Sequence, residues 1–191
     1  LYPVRRQLDG SIGRGIPESE TTRAYDIGWR YNSPDWLASA ALYRVDYDNR
    51  IVSSFDDELG FTVDRNLGKV EIQGFDLQAG WKAASFLTLS GTASYNDSEV
   101  QRNVPLSATT FLATAGKQLV ETPEWQYGLR ADATFGAFAA GLQGKYVGER
   151  AATDINDEFA PSYTVWDLDA RYALEGVGLA ERVELRLNIV N

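Results

Sequence analysis

The segment from Thr122 to Arg150, TPEWQYGLRADATFGAFAAGLQGKYVGER, opens on a strict alternation. Trp125, Tyr127, Leu129, Ala131, Ala133 and Phe135 hold the odd positions; Gln126, Gly128, Arg130, Asp132 and Thr134 stand between them. A period of two sustained over about ten residues gives two clean faces only on a β-strand. After Gly136 and Ala137 the parity changes. Phe138, Ala140, Leu142, Gly144 and Tyr146 share one face of a second strand, with Ala139, Gly141, Gln143, Lys145 and Glu149 opposite. Long strands joined by so short a link predict a tight hairpin.

The order of residue types on the apolar face says what that face meets. Trp125 and Tyr127 stand at one end, Phe135 and Phe138 at the other, and Tyr146 returns to the first. Small and aliphatic side chains fill the middle. A soluble sandwich gathers its aromatics in the core. A strand crossing a bilayer places them at the two interfaces, where the rings suit the headgroup boundary. The hairpin is therefore expected to span a membrane, with Arg130, Asp132 and Lys145 turned to a polar lumen.

The rest of the chain follows the same pattern. Residues 1–20 lack a period and read as a loop leading into the first strand. Thr21–Asn32 alternates, with Tyr25, Ile27, Trp29 and Tyr31 on one face. Trp36–Ser53 reads as one long strand. It sets Leu37, Ala41, Tyr43, Val45 and Tyr47 on one face and Arg44, Asp46, Asp48 and Arg50 on the other. Ser54–Asn66 reads as a polar loop turning at Gly60. In Leu67–Lys82 the apolar parity slips near Gly74, through either a β-bulge there or emergence above the lipid band. Phe86–Asp97, Tyr163–Leu174 and Arg182–Asn191 are further alternating strands, and Ser98–Glu121 is the longest loop. Leu168 and Leu187 face outward; Asp167, Asp169, Arg171 and Arg186 face inward.

Connections alternate in length. They are short near Ser33, Ala84, Gly136 and Gly178, and long near Gly60, across 101–122, and near Asn156. Short turns on one rim and long loops on the other are expected of an outer-membrane barrel. The predicted fold is all-β: an antiparallel transmembrane meander of about eight strands, occupying residues 21–191.

Composition narrows the functions. The chain has 191 residues and a formal charge of −9, with no Cys, His or Met. Absent Cys excludes disulfides and thiolate metal sites, and absent His removes the commonest general base. No catalytic constellation appears. No basic stripe serves nucleic acid. No apolar run is long enough for a membrane helix, which leaves barrels untouched.

Several stretches, taken in order, resemble the C-terminal part of a TonB-dependent outer-membrane receptor. They are Pro17-Glu18-Ser19 leading into Ala24-Tyr25-Asp26-Ile27-Gly28-Trp29-Arg30, Asp46-Tyr47-Asp48-Asn49-Arg50-Ile51 and Ile72-Gln73-Gly74-Phe75-Asp76. Thr122-Pro123-Glu124-Trp125, Tyr146-Val147-Gly148-Glu149-Arg150, Tyr163-Thr164-Val165-Trp166-Asp167-Leu168 and Leu187-Asn188-Ile189-Val190-Asn191 follow. The resemblance implies a 22-stranded barrel in a Gram-negative outer membrane, filled by an N-terminal plug and energised by TonB. Neither the plug nor the TonB-contacting box lies in this sequence, and the last strand of the family pattern is also lacking. The implied partners are outer-membrane lipid, the plug, TonB and a small ligand. That ligand is a ferric siderophore by prevalence in the family, with oligosaccharide and cobalamin still open. No cofactor is implied. Two rivals stand beside this reading: a complete small eight-stranded barrel with a structural or adhesive role, and a soluble β-sandwich binding module.

Candidate site residues fall in two groups. Phe55, Asp56, Asp57, Phe61 and Arg65 occupy an extracellular loop and are candidates for ligand contact. Arg44, Asp46, Arg130, Asp132, Lys145, Asp167, Asp169, Arg171 and Arg186 are assigned to the lumen, as an ion-pair network or as a track for substrate. Asp56-Asp57-Glu58 and the group Asp154, Asp157 and Glu158 read as solvated loop charge, with a hard cation as the sharper alternative.

Overall fold

The computed structural model describes residues 5–6, 11–13, 19–56, 59–66, 68–106, 109–177 and 180–191. Eight long strands form one sheet: β1 (Thr21–Asn32), β2 (Trp36–Asp48), β3 (Val70–Ala84), β4 (Leu87–Val100), β5 (Trp125–Phe135), β6 (Phe138–Val147), β7 (Tyr163–Val177) and β8 (Ala180–Ile189). Each pairs antiparallel with the next in sequence, so the sheet is a meander. Gly136, at φ 58, turns the β5–β6 hairpin, a backbone angle that costs glycine nothing.

The register carries one apolar face across all eight strands. Ile27 pairs with Leu42, Leu42 with Phe75 and Phe75 with Tyr95. The row continues from Tyr95 to Trp125, and the next apolar pairs are Tyr127 with Tyr146, Leu142 with Leu168 and Leu168 with Ile189. Ile27, Leu129 and Leu187 on this face are more than half exposed. In water such a face would be untenable. In a bilayer it is the lipid surface.

Its aromatics form two girdles. Near the short turns Trp36 stacks on Trp81 with centroids 5.1 Å apart, and Phe86 meets Phe135 at 4.8 Å. Near the long loops a chain of rings runs from Phe75 to Tyr95 (5.7 Å), Trp125 (4.7 Å), Tyr127 (5.6 Å) and Tyr146 (5.7 Å). From Trp125 to Phe135 the strand runs about 33 Å at about 3.3 Å per residue. A tilt of about 40° projects that length onto about 25 Å, the height of the apolar band of an outer-membrane barrel.

The dry core lies elsewhere. Val63, Val70, Val100, Val104, Val147 and Ala151 are the buried apolar residues among those described, all at the long-loop end. Val70, Val100 and Val104 pack together with Tyr47, Ile72, Leu112 and Leu119. This cluster explains the slip of parity in β3. The ladder from Val70 to Lys82 is continuous, so no bulge sits at Gly74; the irregularity lies between Lys82 and Ala84. Below Gly74 the dry side is the outer, lipid face. Above it the inner face is dry, because Val104, Leu112 and Leu119 of the following loop pack over it.

Three further expectations are corrected. Trp36–Ser53 is not one strand: Asn49 has φ 59, and a separate hairpin of Ile51–Asp56 with Phe61–Asn66 replaces the expected polar loop. Within the expected entry loop, Arg5–Arg6 pairs with Ile12–Gly13 and lies parallel to Asp64–Arg65. Arg44 and Asp46 share the face of Leu42 and Phe75, not the lumen face; Tyr43, Val45 and Tyr47 point inward in their place. Alternation does not assign the faces of β2, because small residues such as Ala38, Ala40 and Ala41 mark neither face.

Neither rival architecture fits this sheet. The strand order is linear, and β1 and β8 are not hydrogen-bonded to each other, so these strands do not close into a small barrel. Among the described residues no second sheet dries Leu129 or Leu168, which stay 65% and 37% exposed.

Candidate functional site

The inner wall and the long-loop rim carry the polar chemistry. On β2–β4 the mid-wall is mostly uncharged: Ser39, Gln78 and Thr92 lie in one cross-strand row. On β5–β8 it is ionic. The Arg130 guanidinium donates through Nε to Asp132 at 2.9 and 3.0 Å, and through one Nη to Asp132 at 2.7 Å and to Asp169 at 2.9 Å. Arg130 and Asp169 are two strands apart. The side chain crosses because Gly141, paired with both Asp132 and Asp169, leaves its path open; a Cβ there would press on the guanidinium and on Asp169. Further down, Arg186 and Arg182 both turn to Glu184.

Of the assigned lumen group, Arg130, Asp132, Lys145, Asp167, Asp169, Arg171 and Arg186 share the inner face. Arg130, Asp132 and Asp169 are brought into one bridge; Lys145 and Asp167 are not joined to it. Arg44 and Asp46 form their own network outside. Arg44 meets Asp46 at 3.1 Å and Glu71 at 2.8 Å, and Lys69 also pairs with Glu71. The Glu71 hydrogen bond raises the pKa of the Lys69 ammonium above its ordinary value, despite some opposing desolvation. The cluster sits just beyond Phe75 and Tyr95, where an outer surface leaves the hydrocarbon.

At the rim two long loops are clasped. The Asn156 side chain accepts from the Gln118 amide at 2.7 Å and donates to the Gln118 carbonyl at 3.1 Å. Glu121 donates its amide to the Ala151 carbonyl at 3.0 Å. Thr114 is buried, its hydroxyl donating to the Arg102 carbonyl at 2.8 Å and accepting from the Val104 amide at 3.0 Å. On this frame Phe111 and Phe159 are about half exposed (51% and 48%), and Phe61 of the neighbouring hairpin is 45% exposed. Phe61 was legible as a contact candidate. Phe111 and Phe159 were not, although an aromatic inside a polar loop is the signal that marks all three. The side chains of Phe55, Asp56, Asp57 and Arg65 lie outside the described residues. Asp157 accepts from Thr153 at 2.5 Å, and among the described residues no acidic trio converges on a cation.

With that geometry in place the kinship is direct. The family model described as TonB dependent receptor-like, beta-barrel matches residues 8–191. The chain belongs to this family. It is thus part of an outer-membrane β-barrel of the TonB-dependent receptors, proteins of Gram-negative bacteria that act as receptors and transporters rather than enzymes. The ferrichrome outer membrane transporter/phage receptor of Escherichia coli (strain K12) is 25% identical over 174 residues, covering 87% of this chain and 22% of its own length. Among solved structures, the siderophore receptor PiuA of Acinetobacter baumannii superposes with a TM-score of 0.65 at 20% identity, covering 87% of this chain and 23% of that one. The copper transporter OprC gives 0.68 at 19% identity, covering 87% and 25%. These superpositions establish the fold. The chain spans about a fifth of the length of the relatives it matches.

Proposed function

We propose that the parent protein of this TonB-dependent barrel imports a scarce extracellular ligand, a ferric siderophore, with TonB supplying the energy and an N-terminal plug closing the bore. The supporting observation is the rim. Phe61, Phe111 and Phe159 are carried on separate long loops at one end of the sheet, and two of those loops are clasped together by Asn156. Half-exposed aromatics on a fixed frame suit a bulky, partly apolar chelate, whose binding energy concentrates in such anchors. The inner wall below supplies a wet path. The Escherichia coli relative is a ferrichrome transporter, so ferrichrome, a ferric hydroxamate, is the first ligand to test.

The test is uptake of radiolabelled ferric hydroxamate by a strain lacking the gene, with and without the full-length gene restored. Restoration should recover uptake in a TonB-dependent way. Uptake equal in the two strains would discard the hydroxamate; uptake that persists without TonB would discard the coupling. Phe111→Ala should raise the half-saturating ligand concentration roughly tenfold, with the barrel still folded.

A further inference from the structure

The two clasped rim loops carry an unbalanced charge. Residues 101–124 and 148–162 hold six carboxylates and only three cations. No Lys or Arg stands between Arg150 and Arg171, while Asp154, Asp157 and Glu158 lead up to Phe159 in that interval. The three cations do not cancel the acids by contact. The Arg150 guanidinium lies over the Tyr163 ring, 5.8 Å from its centroid. Among the described residues neither Arg150 nor Arg102 nor Lys117 forms an ion pair with a carboxylate of these loops. The clasp brings acids of both loops to one aromatic. Ala151 is the cross-strand partner of Phe159, and its carbonyl accepts the Glu121 amide. Glu158 precedes Phe159 in the chain, and its carbonyl accepts the Ala152 amide. Glu121, Asp157, Glu158 and Phe159 are all exposed. Among the described residues no such acids converge on a point, as the ligands of a bare cation would. They are distributed over two loops, and a distributed charge acts on a large ligand through its summed field.

We propose that this rim sorts ferric hydroxamates by charge, favouring a chelate that carries a protonated amine over a neutral one, with Glu121, Asp157 and Glu158 as the specificity-determining residues. The inference rests on the hydroxamate-uptake reading and adds the sign of the ligand. Hydroxamates just neutralise ferric iron, so the net charge of such a chelate is set by its periphery. Catecholates leave the iron complex strongly anionic, and this rim repels an anion. An ammonium group is drawn toward the carboxylates from about a Debye length away, about 8 Å at physiological salt. Once there it has the face of Phe159, since aromatic rings attract cations. A neutral chelate gains the ring but not the field.

The test measures binding to the purified full-length protein by tryptophan fluorescence, with heat-modifiable gel mobility identifying folded barrels. The probes are ferrioxamine B, its N-acetyl derivative and ferrichrome. Ferrioxamine B is a linear ferric trihydroxamate ending in a protonated amine; acetylation keeps the chelate and removes the charge. Ferrioxamine B should bind about tenfold more tightly than the acetylated form in about 20 mM salt, and the gap should shrink to about twofold in about 0.5 M salt. Glu121→Gln with Asp157→Asn and Glu158→Gln should close the gap in folded protein. Equal or tighter binding of the acetylated form in dilute salt would overturn the charge selection and leave hydroxamate uptake standing. So would a gap that survives high salt or the triple substitution, or binding of ferrichrome alone. No binding of any of these probes would overturn the hydroxamate reading as well.

Discussion

Two glycines show how single positions shape the wall. At Gly74 a Cβ would overlap the Tyr95 carbonyl oxygen and the Tyr43 ring, whose hydroxyl donates to that same carbonyl at 3.3 Å. One obstacle is backbone and cannot yield. At Gly141 the obstacles are the tips of Arg130 and Asp169, which can swing aside. Gly74→Ala is therefore expected to cost about 1–3 kcal/mol, as overpacking does. Gly141→Ala should cost less than about 1 kcal/mol, because the ions it displaces are a third to a half exposed and well screened. Denaturant titration of the full-length barrel in lipid vesicles checks the order; equal costs would mean that Tyr43 and the Tyr95 carbonyl do not confine Gly74. Tyr43→Ala should not rescue Gly74→Ala, since the carbonyl remains.

Strands and loops follow from which side of each is dry. In the middle of β5 and β6 the outer face meets acyl chains. Leu129→Arg and Leu142→Arg should each lose about 2–4 kcal/mol, whereas Thr92→Arg on the inner wall should change stability little. Tryptophan fluorescence during unfolding from vesicles measures both, and indifference at Leu129 would remove the lipid assignment. At the top of β3 the dry side switches inward, beneath Val104, Leu112 and Leu119 of the loop after β4. Asn156, at φ 56, holds that loop to its neighbour. Asn tolerates this left-handed backbone better than most residues, and its amide completes both halves of the clasp. Asn156→Ala is expected to speed hydrogen exchange at the Gln118 amide roughly tenfold, through loss of about 1–1.5 kcal/mol. Unchanged exchange there would show that other contacts fix the loop.

For the molecule as a whole the decisive fact is an open sheet. The β1 and β8 edges each expose unpaired backbone groups, and no such edge survives in hydrocarbon. In the full receptor both must pair with other strands of the barrel. These 191 residues contain no Cys, so pairs introduced here add no scrambling within this part of the barrel. Ile27→Cys with Leu187→Cys should give no intramolecular disulfide under mild oxidation, while Leu142→Cys with Leu168→Cys, direct partners in the ladder, should form one. A bond between positions 27 and 187 would revive the small closed barrel.

Much of this was legible in the order of residues alone. Strict alternation placed β1, β5 and β6 within a residue or so and β4 within three, because water and lipid impose opposite demands on consecutive side chains. The sorting of short turns and long loops marked the two rims, and aromatics at the ends of the apolar row marked the bilayer. Pairing had to come from the tertiary structure. Ala-rich β2 gives no parity signal, so only its register against Ile27 and Phe75 put Arg44 outside and Tyr43 inside. The slip at Gly74 needed Val104, Leu112 and Leu119 in place, since a residue's dry side depends on what covers it. The Arg130–Asp169 bridge joins positions far apart in sequence. A period describes one strand's faces, and only hydrogen-bonded register says which charges of different strands meet.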